Sequence, residues 1–353
     1  MRVVYIAGAE KGAGKTSLAS ALVVNVTRRG VRAAAWKPLA LSAKPHGEGS
    51  GPDADTLLYA RLTAGKSLYP ELFTPGDDQL NGTLPKDIVA KVLAHLDDAS
   101  SDHQVIVAEG LDGLSVQQGT GRASRELASL LDARVLAVVP YRHPPEENYV
   151  SLARDLFGPA LVGLVINKVP YYRMSLLQQE TVPRLQKEGL PILGAIPEDR
   201  TMLSPTLGDV AQAVQGTFVL CPEKGNELVE YLMVGGFFMD EGLYVFQRRE
   251  RKAVVVRGDR PDLQIAAIET DTVGLVLTGG VQPIQYILYE AEQRGVPLVV
   301  TQMDTKSAIS ACETLLNRAV VHHLGKVHRF AQLMDAHLDM EALLSSLGLP
   351  SVA

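Results

Sequence analysis

The chain is 353 residues long, enough for two domains. Its 46% apolar and 21% charged content is that of an ordinary globular protein, and its net charge of -6 argues against a general nucleic-acid binder, which needs a basic face. No run approaches the roughly 18 apolar residues of a membrane-spanning helix, so no membrane partner is expected.

The first predicted strand is Val3–Ala7, and because the chain enters it directly no signal peptide is expected. Further near-continuous apolar runs follow at Val31–Trp36, Val105–Ala108, Val135–Val139, Leu161–Ile166 and Ile192–Ala195, with stretches of helical period between most of them. Apolar strands alternating with helices predict an α/β protein with a doubly wound, mostly parallel sheet covered on both faces. A second series reads Phe218–Leu220, Ala253–Val256, Val273–Leu277 and Pro297–Thr301. The boundary is placed near Gly216, giving units 1–215 and 216–353, the second a smaller α/β domain. The Gly/Pro-rich stretch Lys44–Pro52 inside the first unit reads as a disordered segment or an active-site loop. The basic run Arg248–Lys252 reads as a solvated helix end. Cys221 and Cys312 are far apart and lack metal-ligand spacing, which suits reduced thiols and a cytoplasmic setting.

The segment Gly8 to Thr16 (Gly-Ala-Glu-Lys-Gly-Ala-Gly-Lys-Thr) lies between the first strand and the amphipathic stretch Leu18–Val26. A strand, a small-residue loop and a helix start in that order suit an anion: loop amides converge and the helix dipole adds positive charge. Gly8, Glu10, Lys11, Gly12, Ala13, Gly14, Lys15, Thr16 and Ser17 are therefore the candidate phosphate cradle. Lys15 would reach the outer phosphates and Thr16 would ligate Mg²⁺. Ala9 stands where the commonest form of the motif has its first glycine, and Lys11 falls one residue short of the deviant form's second lysine.

Magnesium needs acidic ligands at strand ends near the loop. Glu109 follows the third strand, and Asp53 and Asp55 start a helix, with Asp55 favoured as the metal-facing one. Lys37 closes the second strand, where it could meet a phosphoryl group or an anionic substrate or simply face solvent. Asn167 ends the fifth strand, where its amide suits a purine edge. Pro170 stands where the guanine-selective motif carries Asp, so ATP is expected rather than GTP.

Together these residues resemble the dethiobiotin synthetase branch of P-loop proteins, relatives of cobyrinic acid a,c-diamide synthase. Gly8-x5-Gly14-Lys15-Thr16, Lys37-Pro38, Asp55, Glu109-Gly110, Asn167 and Ile196-Pro197 occur in that family's order. The resemblance implies ATP and Mg²⁺ as cofactors and Thr16, Asp55 and Glu109 as metal ligands. It also implies Lys15 and Lys37 as catalytic cations, Asn167 and Pro197 at the nucleotide, and a homodimer. One departure stands out. The synthetases carry Glu-Gly-Ala-Gly-Gly, whereas this chain has Glu109-Gly110-Leu111-Asp112-Gly113, so Leu111 and Asp112 are expected to fill the substrate pocket.

The second unit resembles the DRTGG domain through Asp259-Arg260 and Thr278-Gly279-Gly280, a possible second ligand site that also reads as a tight turn with an Asp cap. His322-His323 lacks a spaced partner and reads as surface or packing. The pairing of the two domains is similar to the N-terminal region of long bacterial phosphotransacetylases. The acetyltransferase domain of those enzymes would need further sequence, so that activity is not expected. Three readings result: a nucleotide-responsive regulator with an unknown effector or a metabolic enzyme partner, an ATP-dependent ligase acting on a small carboxylate or amine, and an inactive scaffold.

Overall fold

The computed structural model describes residues 1–41, 53–63, 71–73, 83–115, 117, 119–142, 147–189, 191–236, 242–316 and 320–349. The expected loop at 44–52 lies outside them. The chain first runs through β1 (Arg2–Gly8), α1 (Lys15–Arg28), β2 (Ala33–Trp36), β3 (Leu39–Leu41), α2 (Ala54–Leu62), β4 (Glu71–Phe73), α3 (Lys86–Ala99), β5 (Val105–Asp112) and α4 (Gly119–Leu130). It continues through β6 (Arg134–Pro140), α5 (Glu147–Phe157), β7 (Leu161–Val169), α6 (Tyr171–Leu176), α7 (Val182–Lys187) and β8 (Ile192–Pro197). The next elements are α8 (Arg200–Leu203), α9 (Leu207–Ala213), β9 (Thr217–Leu220), β10 (Tyr231–Gly235), α10 (Gly242–Phe246), β11 (Lys252–Arg257), α11 (Pro261–Ile268), β12 (Thr272–Thr278), α12 (Gln285–Arg294), β13 (Leu298–Val300) and α13 (Thr305–Leu316). Two helices close the chain, α14 (Leu324–His337) and α15 (Met340–Ser346).

Two compact units result: residues 1–198 together with 321–353, and residues 199–320. The first holds a parallel sheet in the order β2-β5-β1-β6-β7-β8. The expected strands are all present, because near-continuous apolar runs are what a sheet covered on both faces requires. β1 lies between β5 and β6, where the strand order changes direction, so the loop after β1 opens at the crevice such sheets use for ligands. β5 runs on through Glu109 and Gly110 to Asp112, further than its apolar run suggests.

Helix α1 is not amphipathic as expected. Ser17 through Val26 are all buried, because α14 covers the face that would otherwise meet water. Asn25 Nδ2 donates to the Ala331 carbonyl at 3.3 Å, and Arg29 pairs with Asp335 at 3.5 Å. Further on, Leu338 bridges to Gly194 on the edge strand β8, and the Asp339 amide donates to the Leu193 carbonyl at 2.9 Å. Gly194 is required there: its φ is +150°, and a Cβ would lie 2.3 Å from the His337 carbonyl oxygen.

The second unit has a five-stranded sheet, β10-β11-β12-β13-β9, parallel except for β9 against β13. β10 is an edge strand with four half-buried residues, which leaves a weak apolar signal in the sequence. The boundary also differs from the expected one near Gly216. Leu207, Val210 and Ala211 of α9, with Val214 after it, pack against Ala253, Val255, Val273 and Val276, so this helix belongs to the second sheet. The residues from 321 onward, expected in the second unit, lie in the first. Both cysteines are free thiols. Among the described residues, no helix is long and apolar enough to cross a membrane.

Candidate functional site

After β1 the chain turns through Gly12 (φ +80°) and Gly14 (φ +112°) into α1. The Ala13 amide donates to the Glu10 carbonyl at 3.2 Å, whereas the amides of Gly12 and Gly14 donate to no backbone carbonyl among the described residues. Lys15 folds back over the start of the loop: a Cβ on Gly8 would stand 2.6 Å from Lys15 Cγ. The glycine thus gives the lysine its path. Lys11 is exposed and Ser17 buried. Glu10 accepts hydrogen bonds from the Arg142 guanidinium and, at 3.4 Å, from the Tyr149 hydroxyl, and the bond from Arg142 holds its carboxyl below the usual range.

Asn167 anchors this loop from β7. Its Nδ2 donates to the Ala13 carbonyl at 2.9 Å, and its Oδ1 accepts from the Lys168 amide at 2.9 Å. It lies so close that a Cβ on Gly14 would be 2.2 Å from Nδ2. The residue expected at adenine therefore has both side-chain polar atoms bonded within the protein, with one Nδ2 proton remaining. Pro197 is buried opposite Val169, and its strand lies three positions from β1, about 14 Å across the sheet.

On the other flank, Glu109 is buried at the end of β5. Its Oε1 accepts from the Thr16 hydroxyl at 3.2 Å, and its Oε2 accepts from the Tyr59 hydroxyl. Burial, reinforced by the charge of Asp55, pushes the Glu109 carboxyl up. Burial, with Glu109 beside it, also pushes the Tyr59 phenol well above its ordinary value. Lys37 donates to Asp53 at 2.9 Å and to Asp55 at 2.6 Å, and Asp55 meets His322 Nε2 at 2.8 Å. Burial opposes the Asp55 charge, but the bonds from His322 and Lys37 outweigh it and hold its carboxyl well below the usual range. The same balance holds the Lys37 ammonium above its usual range: desolvation opposes its charge, and Asp55, Glu109 and Asp53 favour it.

Thr16 and Glu109 thus meet directly, and Asp55 joins them through its field on Glu109 and through Lys37. Tyr59 is an addition that the sequence did not single out, and His322, expected at the surface or in packing, instead meets Asp55. Tyr59 sits five residues after a helix start, an unremarkable place, and His322 lacks any spacing signal; only its return to the first unit brings it to Asp55. One expectation is corrected. Leu111 does not fill a pocket but packs in the core of the first unit, its amide donating to the Tyr5 hydroxyl at 3.2 Å. Tyr5 also bonds Ser124 at 2.8 Å, and burial pushes its phenol up to about 12. Asp112, the next residue, does reach the loop and forms an ion pair with Lys15.

In the second unit the two expected segments are adjacent, the Gly258 amide donating to the Thr278 carbonyl at 3.0 Å. The amides there are committed, however: Gly279 donates to Met303 and Gly280 to Thr301, each at 2.9 Å. Asp259 pairs with Arg257, Arg260 with Asp262, and the Thr278 hydroxyl with Thr305 at 2.8 Å. These residues come together but do not form an amide cradle of the first kind.

Two family models match the chain: an AAA domain over residues 2–206 and a DRTGG domain over residues 209–315. The phosphate acetyltransferase of Pseudomonas putida is 24% identical over 99% of this chain and 52% of its own length. That of Escherichia coli is 22% identical over 86% of this chain and 47% of its own. The chain thus spans about half the length of these relatives. The ATP-dependent dethiobiotin synthetase of Saccharopolyspora erythraea is 25% identical over 60% of this chain and 95% of its own. Among solved structures, the MinD cell division protein of Aquifex aeolicus aligns with 57% of this chain and 84% of its own, at 14% identity and a TM-score of 0.38. The CBS and DRTGG domains of a Clostridium perfringens pyrophosphatase align with 40% of this chain and 70% of their own, at 16% identity and a TM-score of 0.29. Likeness at that level carries no functional argument.

Proposed function

The chain belongs to the AAA domain family, with a DRTGG domain following, and from that premise we propose that it is an ATP- and Mg²⁺-binding regulator related to the N-terminal region of phosphate acetyltransferases. The observation that carries the reading is the loop itself. Two glycines at positive φ have amides without backbone partners among the described residues, and Lys15 is led across Gly8 toward them. A triphosphate would replace Asp112 as the partner of Lys15.

The donor set fits Mg²⁺. Thr16 and Glu109 offer one hydroxyl and one carboxylate, and Mg²⁺ keeps several waters and takes few protein ligands. Among the described residues no group of three or more His, Cys, Asp or Glu is arranged to hold a metal, so the ion would depend on the nucleotide for the rest of its shell. A cation at Glu109 would also relieve the burial of that carboxylate. Bound there, it would supply charge neutralisation for the phosphates. Lys15 would hold their outer oxygens, and Asn167 would keep the loop in register.

The regulatory reading rests on the Lys15–Asp112 pair, since Asp112 places a carboxylate where the synthetase pattern has a bare backbone. The coverage of the dethiobiotin synthetase favours a second reading, an ATP-dependent ligase acting on a small amine or carboxylate. Calorimetry with ATP, with and without Mg²⁺, tests the shared premise: Mg²⁺-dependent binding of one nucleotide per chain is expected, and absence of binding defeats both readings. ADP formation only on addition of a diamino acid would decide for the ligase.

A further inference from the structure

A cleft of about 550 Å³ opens at the amino ends of β1, β2 and β5, the end of the sheet opposite the glycine loop. Arg2, Arg29, Arg32, Ser100, His103 and Gln104 line it, and no carboxylate does among the described residues. In a chain with 40 acidic and 34 basic residues, an arginine-lined cleft without an acid is a local reversal of charge. The backbone fixes its rim. The Arg2 amide donates to the Gln104 carbonyl at 2.9 Å, Gln104 to the Arg32 carbonyl at 2.8 Å, and Arg32 back to Gln104 Oε1 at 2.9 Å. Arg2 and Arg32 therefore flank one strand, with backbones about 10 Å apart, within reach of a common anion.

Two buried polar atoms lack partners among the described residues in this region. His103 is 2% exposed; its Nδ1 meets the Ala99 carbonyl at 3.2 Å, while Nε2 has no partner. Arg29 Nε is likewise buried without one, although its terminal nitrogens reach the Asn25 carbonyl at 2.7 Å and Asp335 at 3.5 Å. Neutralising the carboxyl end of α1 accounts for Arg29. It does not account for Arg2 and Arg32, which stand beside strand starts, or for His103. Native proteins leave few buried polar groups unpaired.

We propose that this cleft is a second anion site, independent of the glycine loop, for a small phosphate-bearing metabolite. Guanidinium forks match phosphate oxygens in pairs, and the volume suits a small ligand.

The test titrates inorganic pyrophosphate, in magnesium-free buffer, into full-length protein carrying Lys15→Ala so that the glycine loop does not contribute. Calorimetry should show one site per chain, with movement of the His103 ring signals in NMR. Adding Arg2→Gln and Arg32→Gln should weaken binding at least tenfold, whereas Arg2→Lys with Arg32→Lys should retain part of it. Both arginines are exposed, so the fold should persist; if the double variant melts early, Arg32→Gln alone gives the same readout. No binding to the Lys15→Ala protein, or binding undiminished by the glutamines, overturns the site. Citrate binding as tightly as pyrophosphate overturns its assignment to phosphate.

Discussion

Two loops in this chain have similar chemistry in sequence and opposite amide accounting in space. Gly8–Thr16 and Thr278–Gly280 each follow a central parallel strand, and each pairs glycines with a hydroxyl. In the first, Gly12 and Gly14 donate to no backbone carbonyl among the described residues; in the second, Gly279 and Gly280 both donate to backbone carbonyls. The surrounding charges differ in the same way. Lys15, Thr16, Glu109 and Lys37 gather around the first loop, whereas Arg257–Asp259 and Arg260–Asp262 close on themselves beside the second. A glycine turn is a candidate anion site only when its N–H groups are left over after the fold has been built.

The largest expected effect that sharpens this contrast is at Lys15. Lys15→Ala should weaken Mg-ATP binding by about 100-fold or more in calorimetry, in line with the loss of a charge-assisted phosphate contact. Gly279→Ala should leave nucleotide affinity unchanged and lower stability by about 1 kcal/mol, because its φ is +82°. Equal effects at the two loops would break the comparison.

Glu109→Gln comes next. It should remove most of the Mg²⁺ dependence of ATP binding, roughly tenfold in affinity, while raising the melting temperature of the ligand-free protein at pH 7 by a few degrees. Because its folded pKa is raised, the native state holds the Glu109 proton more tightly than the unfolded chain, and stability falls as pH climbs above about 4.3. The thermal gain should therefore vanish toward pH 4. Asp55 has the opposite sign: its lowered pKa contributes stability above about pH 3.9 that is lost as pH falls through the folded value. Asp55→Asn should destabilise at neutral pH, and its deficit should shrink in acid melts.

Gly8→Ala should cost about tenfold in ATP affinity, since the added methyl takes the space of the lysine stem and displaces its charge. The smallest effect is at Asp112. Asp112→Asn should tighten phosphate binding about threefold by removing the competitor of Lys15, a modest figure because this partly exposed ion pair is screened by water.

Much of the fold was legible because buried parallel strands announce themselves as apolar runs. β1, β5 and β6 could hardly be missed, and the glycine loop after β1 carries its chemistry in order. The rest depends on who packs against whom. Leu111 belongs to the core and Asp112 to the site, although the two are adjacent. Strict alternation would set Leu111 on the face of Glu109, but the register between β5 and β1 shifts between Glu109 and Asp112, which returns Leu111 to the core side of Ile106 and Ala108, and the apolar run in the sequence ends at Ala108. Asn167 is legible as a strand-end amide, but its bond to Ala13 depends on the distance from the end of β7 to the glycine loop. α1 looked amphipathic because Ser17, Ser20 and Asn25 are polar, and nothing local announces that a helix some 300 residues later will cover them. His322 carries no local signal for the same reason: its partner Asp55 is 267 residues away.

That return has a consequence for how the protein is made. Residues 1–198 leave the ribosome with α1 lacking its cover, and they wait for the whole of 199–320 to be synthesised before α14 arrives. Fragments ending near residue 215 should therefore be sticky and poorly expressed, whereas the intervening segment, continuous in sequence, can complete its own sheet first. Of the two units, the one whose first residues are made earlier is the later to finish folding.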